Sequence, residues 1–161
     1  MSKVKDYIYR PEYECMTRSE MENLQSERLR KTVELVYNNC KPYRAKMDAC
    51  KLKPSDIRSV SDLSKLPFTV KHDLREAYPF GFYSSPQSDI VEIHASSGTT
   101  GKLTVVGYTQ NDVDVWSEVA ARSLAMAGVT KDSLVHVAYG YGLFTGGLGA
   151  HYGAQKIGAS T

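Results

Sequence analysis

Apolar and charged residues in the first part of the chain recur with the period of a helix. Thr17 to Glu20 has the sequence of a capping box, in which the threonine hydroxyl accepts a hydrogen bond from the Glu20 amide and the Glu20 carboxylate reaches back. Apolar residues then return every three or four positions as far as Cys40, with charged residues between them. The pattern predicts a helix over residues 18–39, and Pro42 prevents its continuation.

Shorter elements are predicted before Pro86. A short helix is expected over residues 43–49. Proline residues and serine–aspartate pairs then predict turns over residues 51–67. Thr69 is placed to cap a further short helix over residues 70–77.

Beyond Pro86 the pattern changes to that of strands. A run of β-branched residues predicts a strand over residues 89–95, and residues 104–108 predict its partner. Ser96 to Lys102 form the connection between these two strands.

A second long helix is predicted after the strand pair. Thr109 is placed to cap it, and Gly128 to end it in a left-handed conformation. Residues 134–138 then predict a short apolar strand, and residues 151–157 predict part of another helix after a glycine-rich bend. The inner face of the long helix is predicted to consist of Val113, Trp116, Val119, Ala120, Ser123, Leu124 and Ala127.

The predicted order from residue 87 onward is strand, strand, helix, strand, helix, which indicates an α/β fold with a partial sheet covered by helices. Residues 1–86 are expected to form an N-terminal helical and turn-rich segment, and residues 87–161 to begin an α/β subdomain. Because a further strand should follow the last helix, we expect the native protein to continue beyond Thr161. The chain is therefore expected to be an incomplete piece of a larger domain.

Composition adds limits on location and partners. The 161 residues are 42% hydrophobic and 24% charged, with a net charge of +2, which gives no reason to expect nucleic acid or a membrane as a partner. No apolar run approaches the roughly 18 residues of a membrane-spanning helix. Cys15, Cys40 and Cys50 form no CxxC pair, which favours reduced thiols in a cytoplasmic protein and predicts no metal site.

The connection between the two predicted strands carries the most informative chemistry. Its glycines allow the backbone to approach a ligand closely, and successive free amides in such a bend form a concave anion site. Its hydroxyls can donate to phosphate oxygens, and its lysine adds a point charge suited to β- and γ-phosphates. The candidate residues for binding the phosphates of ATP are Ser96, Ser97, Gly98, Thr99, Thr100, Gly101 and Lys102.

This loop is not a Walker A motif. That motif requires a glycine where this sequence has Ser96, and a helix after the lysine, where residues 103–106 have the pattern of a strand. For an arbitrary segment of this composition, the alternative interpretation is a flexible hairpin loop with an exposed lysine.

The loop and its flanks resemble the adenylate-forming superfamily of acyl-CoA synthetases, whose signature is roughly Ser/Thr-Ser-Gly-Thr-Thr-Gly-x-Pro. Within that superfamily, residues 94–109 and 138–154 look like the phenylacetate–CoA ligase family. The resemblance covers about residues 19–161. Leu103 departs from the signature, because the family usually has proline after the lysine, but leucine removes no phosphate ligand.

The resemblance implies an enzyme that activates phenylacetate in two steps. The carboxylate and ATP give an acyl-adenylate and diphosphate, with Mg²⁺ screening charge, and coenzyme A then displaces AMP to give phenylacetyl-CoA. In such ligases the Mg²⁺ ligand, the ribose-binding residue and the catalytic lysine lie downstream, so no catalytic residue is assigned here. We therefore expect the chain alone to be inactive. Related ligases are often dimers, which leaves a homodimer open.

By the same resemblance, the aromatic and glycine-rich segment after residues 134–138 lines the pocket for the aryl acid. Glycines allow a flat ligand to approach the backbone, and aromatic side chains supply an apolar wall. The residues alone leave a second interpretation equally open, in which the aromatics are ordinary core and the glycines permit close helix–strand packing. The candidate pocket residues are Tyr139, Gly140, Tyr141, Gly142, Phe144, Thr145 and Gly146, with Tyr139 and Phe144 the best candidates for contacting the ring.

Two further aromatic residues are expected to be structural. His94 could help to hold the shape of the loop, but a histidine with satisfied hydrogen bonds is the favoured interpretation. Trp116 at helical spacing predicts a core residue. The competing hypothesis for the whole chain is a non-catalytic fragment that binds nucleotide weakly or has only a structural or self-association role.

Overall fold

The computed structural model describes residues 7–96 and 103–161, which divide between two compact units. Within these described residues, one unit comprises the residues up to Cys15, Val91–His94 and Tyr108–Thr161, and the other comprises Met16–Ile90 and Ala95–Gly107. The functional division at residue 86 that the sequence suggests stays a prediction.

The described residues are mainly helical with a small sheet. The helices are α1 (Pro11–Glu14), α2 (Arg18–Asn39), α3 (Lys41–Ala49), α4 (Lys71–Glu76), α5 (Gln110–Met126) and α6 (Thr145–Ile157), with short 3₁₀ helices at Pro54–Asp56, Val60–Lys65 and Gln87–Asp89. The strands β1 (Ile90–Ala95) and β2 (Val105–Thr109) pair in a two-stranded sheet. No helix in the described part of the chain combines the length and apolar character of a membrane span.

The start of α2 confirms the capping box. The Thr17 hydroxyl accepts from the Glu20 amide at 3.3 Å, and the Glu20 carboxylate accepts from the Thr17 amide at 2.8 Å. The helix ends at Asn39, as predicted, and α3 begins only two residues later at Lys41. Its start precedes the predicted one because proline is well suited to the first turn of a helix, where its missing N–H group has no partner to lose.

The unit that begins at Met16 has a hydrophobic core where α2, α3 and the turns after α3 meet. Val33, Met47 and Ile57 are fully buried there, at 2% exposure or less. Helix α4 begins at the predicted place, but Thr69 as its cap was wrong. Val70 occupies the cap position, and its amide donates to the Asp73 carboxylate at 2.7 Å. The side chain that binds a backbone amide at this helix start is therefore that of Asp73 and not that of Thr69.

Thr109 caps helix α5, as predicted. The threonine hydroxyl accepts from the Asp112 amide at 3.3 Å, and the Asp112 carboxylate accepts from the Thr109 amide at 2.8 Å. Gly128 follows the helix with a φ of 91°, the left-handed conformation expected of it.

The predicted inner face of α5 was only partly right. Val119 is 48% exposed, whereas the residues buried along this helix are the smaller Ala121 and Ala125. Small residues are buried because α5 and α6 pack closely, and large side chains would hold them apart.

Helix α6 is longer than the sequence predicts, because the glycine-rich bend before residue 151 forms its first turns. A Cβ atom on Gly153 would lie 2.8 Å from the Ala120 Cβ, and one on Gly149 would lie 2.8 Å from the Trp116 ring. These glycines are therefore sites of close helix packing, which outweighs the low helix propensity of glycine.

The strand predicted over residues 134–138 does not form. Leu134 makes only an isolated parallel bridge with Ser160. The Val135 amide donates to the Ser160 carbonyl at 2.8 Å, and the Ser160 amide donates to the Ser133 carbonyl at 3.1 Å. Two hydrogen bonds to a single residue do not extend into a ladder, so the apolar pattern alone overestimated the regularity of this segment.

Hydrogen bonds and ion pairs connect the residues before Cys15 to α5 and α6. Arg10 makes two hydrogen bonds to the Glu118 carboxylate, at 2.6 and 3.2 Å, and this partner lowers the pKa of Glu118. Arg122 on the same helix pairs with Glu14 at 3.1 Å. The Tyr9 hydroxyl donates to the Lys156 carbonyl at 3.1 Å. We call residues 9–14 the N-terminal strap.

The close packing of α5 and α6 gives a prediction about the glycines of α6. We expect Gly153→Ala to lower the free energy of unfolding by about 1–2 kcal/mol, because the new methyl group would overlap the backbone of α5. Urea unfolding of the chain, followed by the fluorescence of its single tryptophan, Trp116, measures this effect.

Gly146→Ala is the matched control in the same helix. The three atoms nearest to its new methyl group belong to the ring of Tyr139, the first at 3.0 Å, and Tyr139 is 63% exposed, so its side chain has room to shift. Helix propensity alone should make this variant more stable by up to about 1 kcal/mol. Equal effects of the two substitutions would show that close packing does not explain Gly153.

Candidate functional site

Ser96 is the first residue of the predicted phosphate loop, and the remaining residues of that loop, 97–102, lie outside the described residues. The Ser96 amide donates to the Thr104 carbonyl at 2.9 Å, and the Thr104 amide donates to the Ser96 hydroxyl at 3.2 Å. These two bonds close the stem of the loop. The Ser96 amide is therefore committed to the stem, whereas its hydroxyl keeps a proton that it can donate to another acceptor.

The predicted aryl-acid residues lie together in one unit, between the isolated bridge and the first turn of α6. We call residues 139–146 the aromatic segment. Phe144 is the cap residue of α6, and Thr145 and Gly146 begin the helix. The ring of Tyr139 lies beside Gly146, and the Tyr141 hydroxyl lies 3.3 Å from Nδ1 of His151.

The aromatic side chains of this segment do not belong to a core. Tyr139, Tyr141 and Phe144 are 63%, 55% and 51% exposed. Gly140 and Gly142 have open space where a Cβ atom would be, so close packing does not require glycine at either position. These observations go against the core interpretation of the segment, and the assignment of a pocket stays a prediction.

His94, at the end of β1, is a buried histidine with both ring nitrogens occupied. Only 3% of the residue is exposed. Its Nδ1 lies 3.1 Å from the carbonyl oxygen of Leu143, inside the aromatic segment, and its Nε2 lies 2.5 Å from the Glu92 carboxylate. The hydrogen bonds of this histidine are thus satisfied, as the favoured interpretation predicts, and one of them is a contact with the candidate pocket segment.

Glu92 was missed by sequence reasoning, although a signal for it exists. Residues two apart on a strand point to the same face, so Glu92 and His94 share one face of β1. The second carboxylate oxygen of Glu92 accepts from the Tyr152 hydroxyl on α6 at 2.9 Å. Burial, together with this bond to a carboxylate, raises the pKa of Tyr152.

Aromatic rings surround the His94 imidazole. Tyr108 and Trp116 each contact it edge-on, at centroid distances of 5.2 and 5.4 Å, and the two stack on one another at 5.6 Å. Trp116 also meets Tyr152 edge-on at 5.7 Å. Burial, and secondarily the charges of Glu92 and Asp112, raises the pKa of Tyr108. Trp116 therefore packs against other side chains of the unit, as the helical pattern predicts.

The chemistry available in this unit is that of hydrogen bonding and apolar contact. Among the described side chains, no group of three or more His, Cys, Asp or Glu residues is placed to hold a metal ion. The described residues thus offer an exposed aromatic surface on the aromatic segment, with its backbone bonded at Leu143 to a buried histidine.

Comparison with proteins of known sequence identifies similar enzymes. No protein-family model matches the chain. The chain is 56% identical over 141 residues to a phenylacetate-coenzyme A ligase of Escherichia coli (strain K12), and 54% identical over 136 residues to one of Pseudomonas putida. These matches cover 88% and 84% of the chain but 32% and 31% of the two ligases. The chain thus spans about a third of the length of the curated relatives it matches, and the resemblance seen in the sequence is confirmed.

Solved structures give the same result for the fold. A 2-hydroxyisobutyryl-CoA ligase in an open conformation, in complex with 2-HIB-AMP and CoA, is 30% identical with a TM-score of 0.84, over 92% of this chain and 35% of that one. The same ligase in the postadenylation state, in complex with R3-HIB-AMP, gives 29% identity and a TM-score of 0.86, over 97% and 34%. The chain therefore has the fold of part of an acyl-CoA ligase.

The environment of Tyr152 predicts a change in stability at alkaline pH. Its raised pKa means that folding favours the neutral phenol, so this contribution is present below about pH 10 and is lost as the pH rises through the folded-state pKa. We expect the fall in unfolding free energy between about pH 9 and pH 11 to be smaller in Tyr152→Phe than in the wild type. Urea unfolding at several pH values measures both slopes, and identical slopes would contradict the prediction.

Proposed function

We propose that the chain is the N-terminal portion of a cytoplasmic, AMP-forming aryl-CoA ligase that activates phenylacetate. The observation that carries the proposal is the 50–56% identity to phenylacetate-coenzyme A ligases over 84–94% of the chain. The solved CoA ligases with acyl-AMP and CoA support the same class of chemistry.

The complete enzyme performs two group transfers. A carboxylate oxygen of phenylacetate attacks the α-phosphorus of ATP, the bond to the β-phosphate breaks, and diphosphate leaves. The sulfur of coenzyme A then attacks the acyl carbon of the adenylate, and AMP leaves with the bonding electrons. Both steps require the protein to hold reacting groups in line and to stabilise the charge of the departing phosphate.

The loop that ends at Lys102 has the role of orienting the triphosphate. The two hydrogen bonds between Ser96 and Thr104 join the residues on either side of residues 97–102, and this supports the role by holding the two ends of the segment together. Since the Ser96 amide is used in the stem, the amides assigned to phosphate are those of residues 97–102. Lys102 supplies the positive charge beside the β- and γ-phosphates.

The aromatic segment has the role of receiving the aryl ring. Its exposed Tyr139, Tyr141 and Phe144 side chains support this role, because a wall that binds a flat apolar ligand has to leave its rings uncovered until the ligand arrives. Mg²⁺ supplies charge neutralisation for the leaving diphosphate in such a reaction. No ligand for it is assigned within the described residues, which lack a suitable cluster of side chains.

The experiment that tests the function is phenylacetate-dependent release of diphosphate from ATP by the complete protein encoded with this chain. Lys102→Ala should raise the KM for ATP about tenfold or more, since a charge-assisted hydrogen bond contributes about 1.5–3 kcal/mol and 1.4 kcal/mol is a factor of ten. The 161-residue chain by itself should release none, because it spans about a third of its relatives.

Lys131→Ala is the control for the loss of a lysine. That side chain is 79% exposed and lies 3.9 Å from the Asp132 carboxylate, so its removal should leave the KM for ATP unchanged. If the complete protein releases no diphosphate, or if the two lysine variants behave alike, the proposed function of the loop is wrong.

The aromatic segment gives a prediction about substrate affinity. Phe144→Ala in the complete enzyme should raise the KM for phenylacetate about tenfold or more while leaving the KM for ATP nearly unchanged. The reason is that burial of an aromatic side chain against the ligand contributes about 1.5–3 kcal/mol. Steady-state kinetics with each substrate varied in turn measure both constants.

Phe68→Ala is the matched control, because Phe68 is 89% exposed and lies outside the aromatic segment. It should change neither constant. An unchanged KM for phenylacetate in Phe144→Ala would remove Phe144 from the pocket.

A further inference from the structure

The contact between His94 and the aromatic segment has a defined direction. A carbonyl oxygen can only accept a hydrogen bond, so the 3.1 Å contact requires Nδ1 of His94 to donate to the Leu143 carbonyl. On the opposite edge of the ring, Nε2 lies 2.5 Å from the Glu92 carboxylate. The Tyr152 hydroxyl donates to the other oxygen of Glu92 at 2.9 Å. The partners of the ring therefore fix Nδ1 as a donor.

The imidazole is held in place independently of the aromatic segment. The residue is 3% exposed, and its ring makes edge-on contacts with the rings of Tyr108 and Trp116 at centroid distances of 5.2 and 5.4 Å. Glu92, its hydrogen-bond partner, lies on the same strand. The donor that meets Leu143 is therefore part of a well-packed cluster, and its position is set by that packing.

The backbone that receives this hydrogen bond belongs to an exposed segment, in which Tyr141 also contacts His151 at 3.3 Å. The glycines at 140 and 142 make no contact at the position of a Cβ atom, and the side chains of Tyr141, Leu143 and Phe144 are all more than half exposed. Glycine also leaves the backbone the widest choice of conformations. The bond at Leu143 thus fixes the path of the backbone one residue before Phe144, the cap of α6.

We propose that His94 is a positioning residue for the aryl acid. It holds the Leu143 carbonyl and thereby places Phe144 against the aryl ring of the substrate. This inference rests on the proposed function. It differs from a purely structural role, in which His94 only fills space beside Tyr108 and Trp116 and pairs with Glu92. The two roles depend on different nitrogens of the same ring, and substitutions can separate them.

Two substitutions retain one nitrogen each. The side-chain nitrogen of asparagine is bonded to Cγ, as Nδ1 of histidine is, so His94→Asn retains the donor to Leu143 and loses the partner of Glu92. The side-chain nitrogen of glutamine is one bond further out, as Nε2 is, so His94→Gln retains the partner of Glu92 and loses the donor to Leu143. Both variants lose the imidazole ring and keep a side-chain amide, and they differ from each other by one methylene group.

The test is steady-state kinetics of phenylacetate-dependent diphosphate release by the complete enzyme. His94→Gln should raise the KM for phenylacetate about three- to tenfold, the range expected for one lost hydrogen bond, with the KM for ATP within about twofold of the wild type. His94→Asn should keep the KM for phenylacetate within about twofold of the wild type, although both variants unfold at a lower temperature.

Equal changes in the two variants would overturn the inference, as would an equal rise in both KM values or no rise for phenylacetate in His94→Gln. If the wild-type enzyme is active but the two variants change the KM for phenylacetate equally, this inference alone is wrong. If the wild-type enzyme shows no phenylacetate-dependent turnover, the proposed function is wrong as well.

If both variants fail to fold, a crystal structure of the wild-type complete enzyme with phenylacetate tests the inference instead. The aryl ring against Phe144, with the bond from His94 to Leu143 intact, supports the inference. A ring bound elsewhere, or a broken bond, overturns it.

Discussion

The imidazole of His94 has almost no access to water, so both of its nitrogens have to find partners within the protein. One partner is a carboxylate on the same strand and the other is a main-chain carbonyl near the start of α6. That carboxylate also binds a tyrosine of α6, and the rings beside the imidazole come from β2 and α5. A single desolvated ring thus contacts several segments of the unit, and displacing either of its two hydrogen-bond partners would leave a buried nitrogen unpaired.

The second constraint is steric and involves the two helices of the same unit. Glycines at 149 and 153 let α6 approach the Trp116 ring and the backbone near Ala120. This approach also sets the distance between Tyr152 and the carboxylate that it meets. Hydrogen bonding in the unit therefore depends on close helix packing, and a network of this kind tolerates little change in the spacing of its helices.

Sequence reasoning performed well where the determining interactions are local. The caps at Thr17 and Thr109 follow from pairs of residues three positions apart in the sequence. The extent of α2 follows from its apolar periodicity and from the proline that comes after it. It failed where partners distant in the sequence decide. The start of α6 was missed because glycines favour a bend unless another helix requires them, and the strand near Leu134 was overestimated because its pairing depends on Ser160. The aromatic segment was recognised by its composition and resemblance, but its hydrogen bond to His94 joins residues 49 positions apart and has no local signature.

The N-terminal strap has a practical consequence for work on shortened forms of the protein. Trimming the chain to begin at Met16 would remove the guanidinium that neutralises Glu118, and would also leave Arg122 without its carboxylate. Glu118 is only partly accessible to water, and Arg10 is the partner that lowers its pKa most, so the cost of losing this hydrogen-bonded pair would fall on α5, the helix that carries Trp116. The N-terminal strap therefore helps to maintain the helix that lies beside the buried histidine.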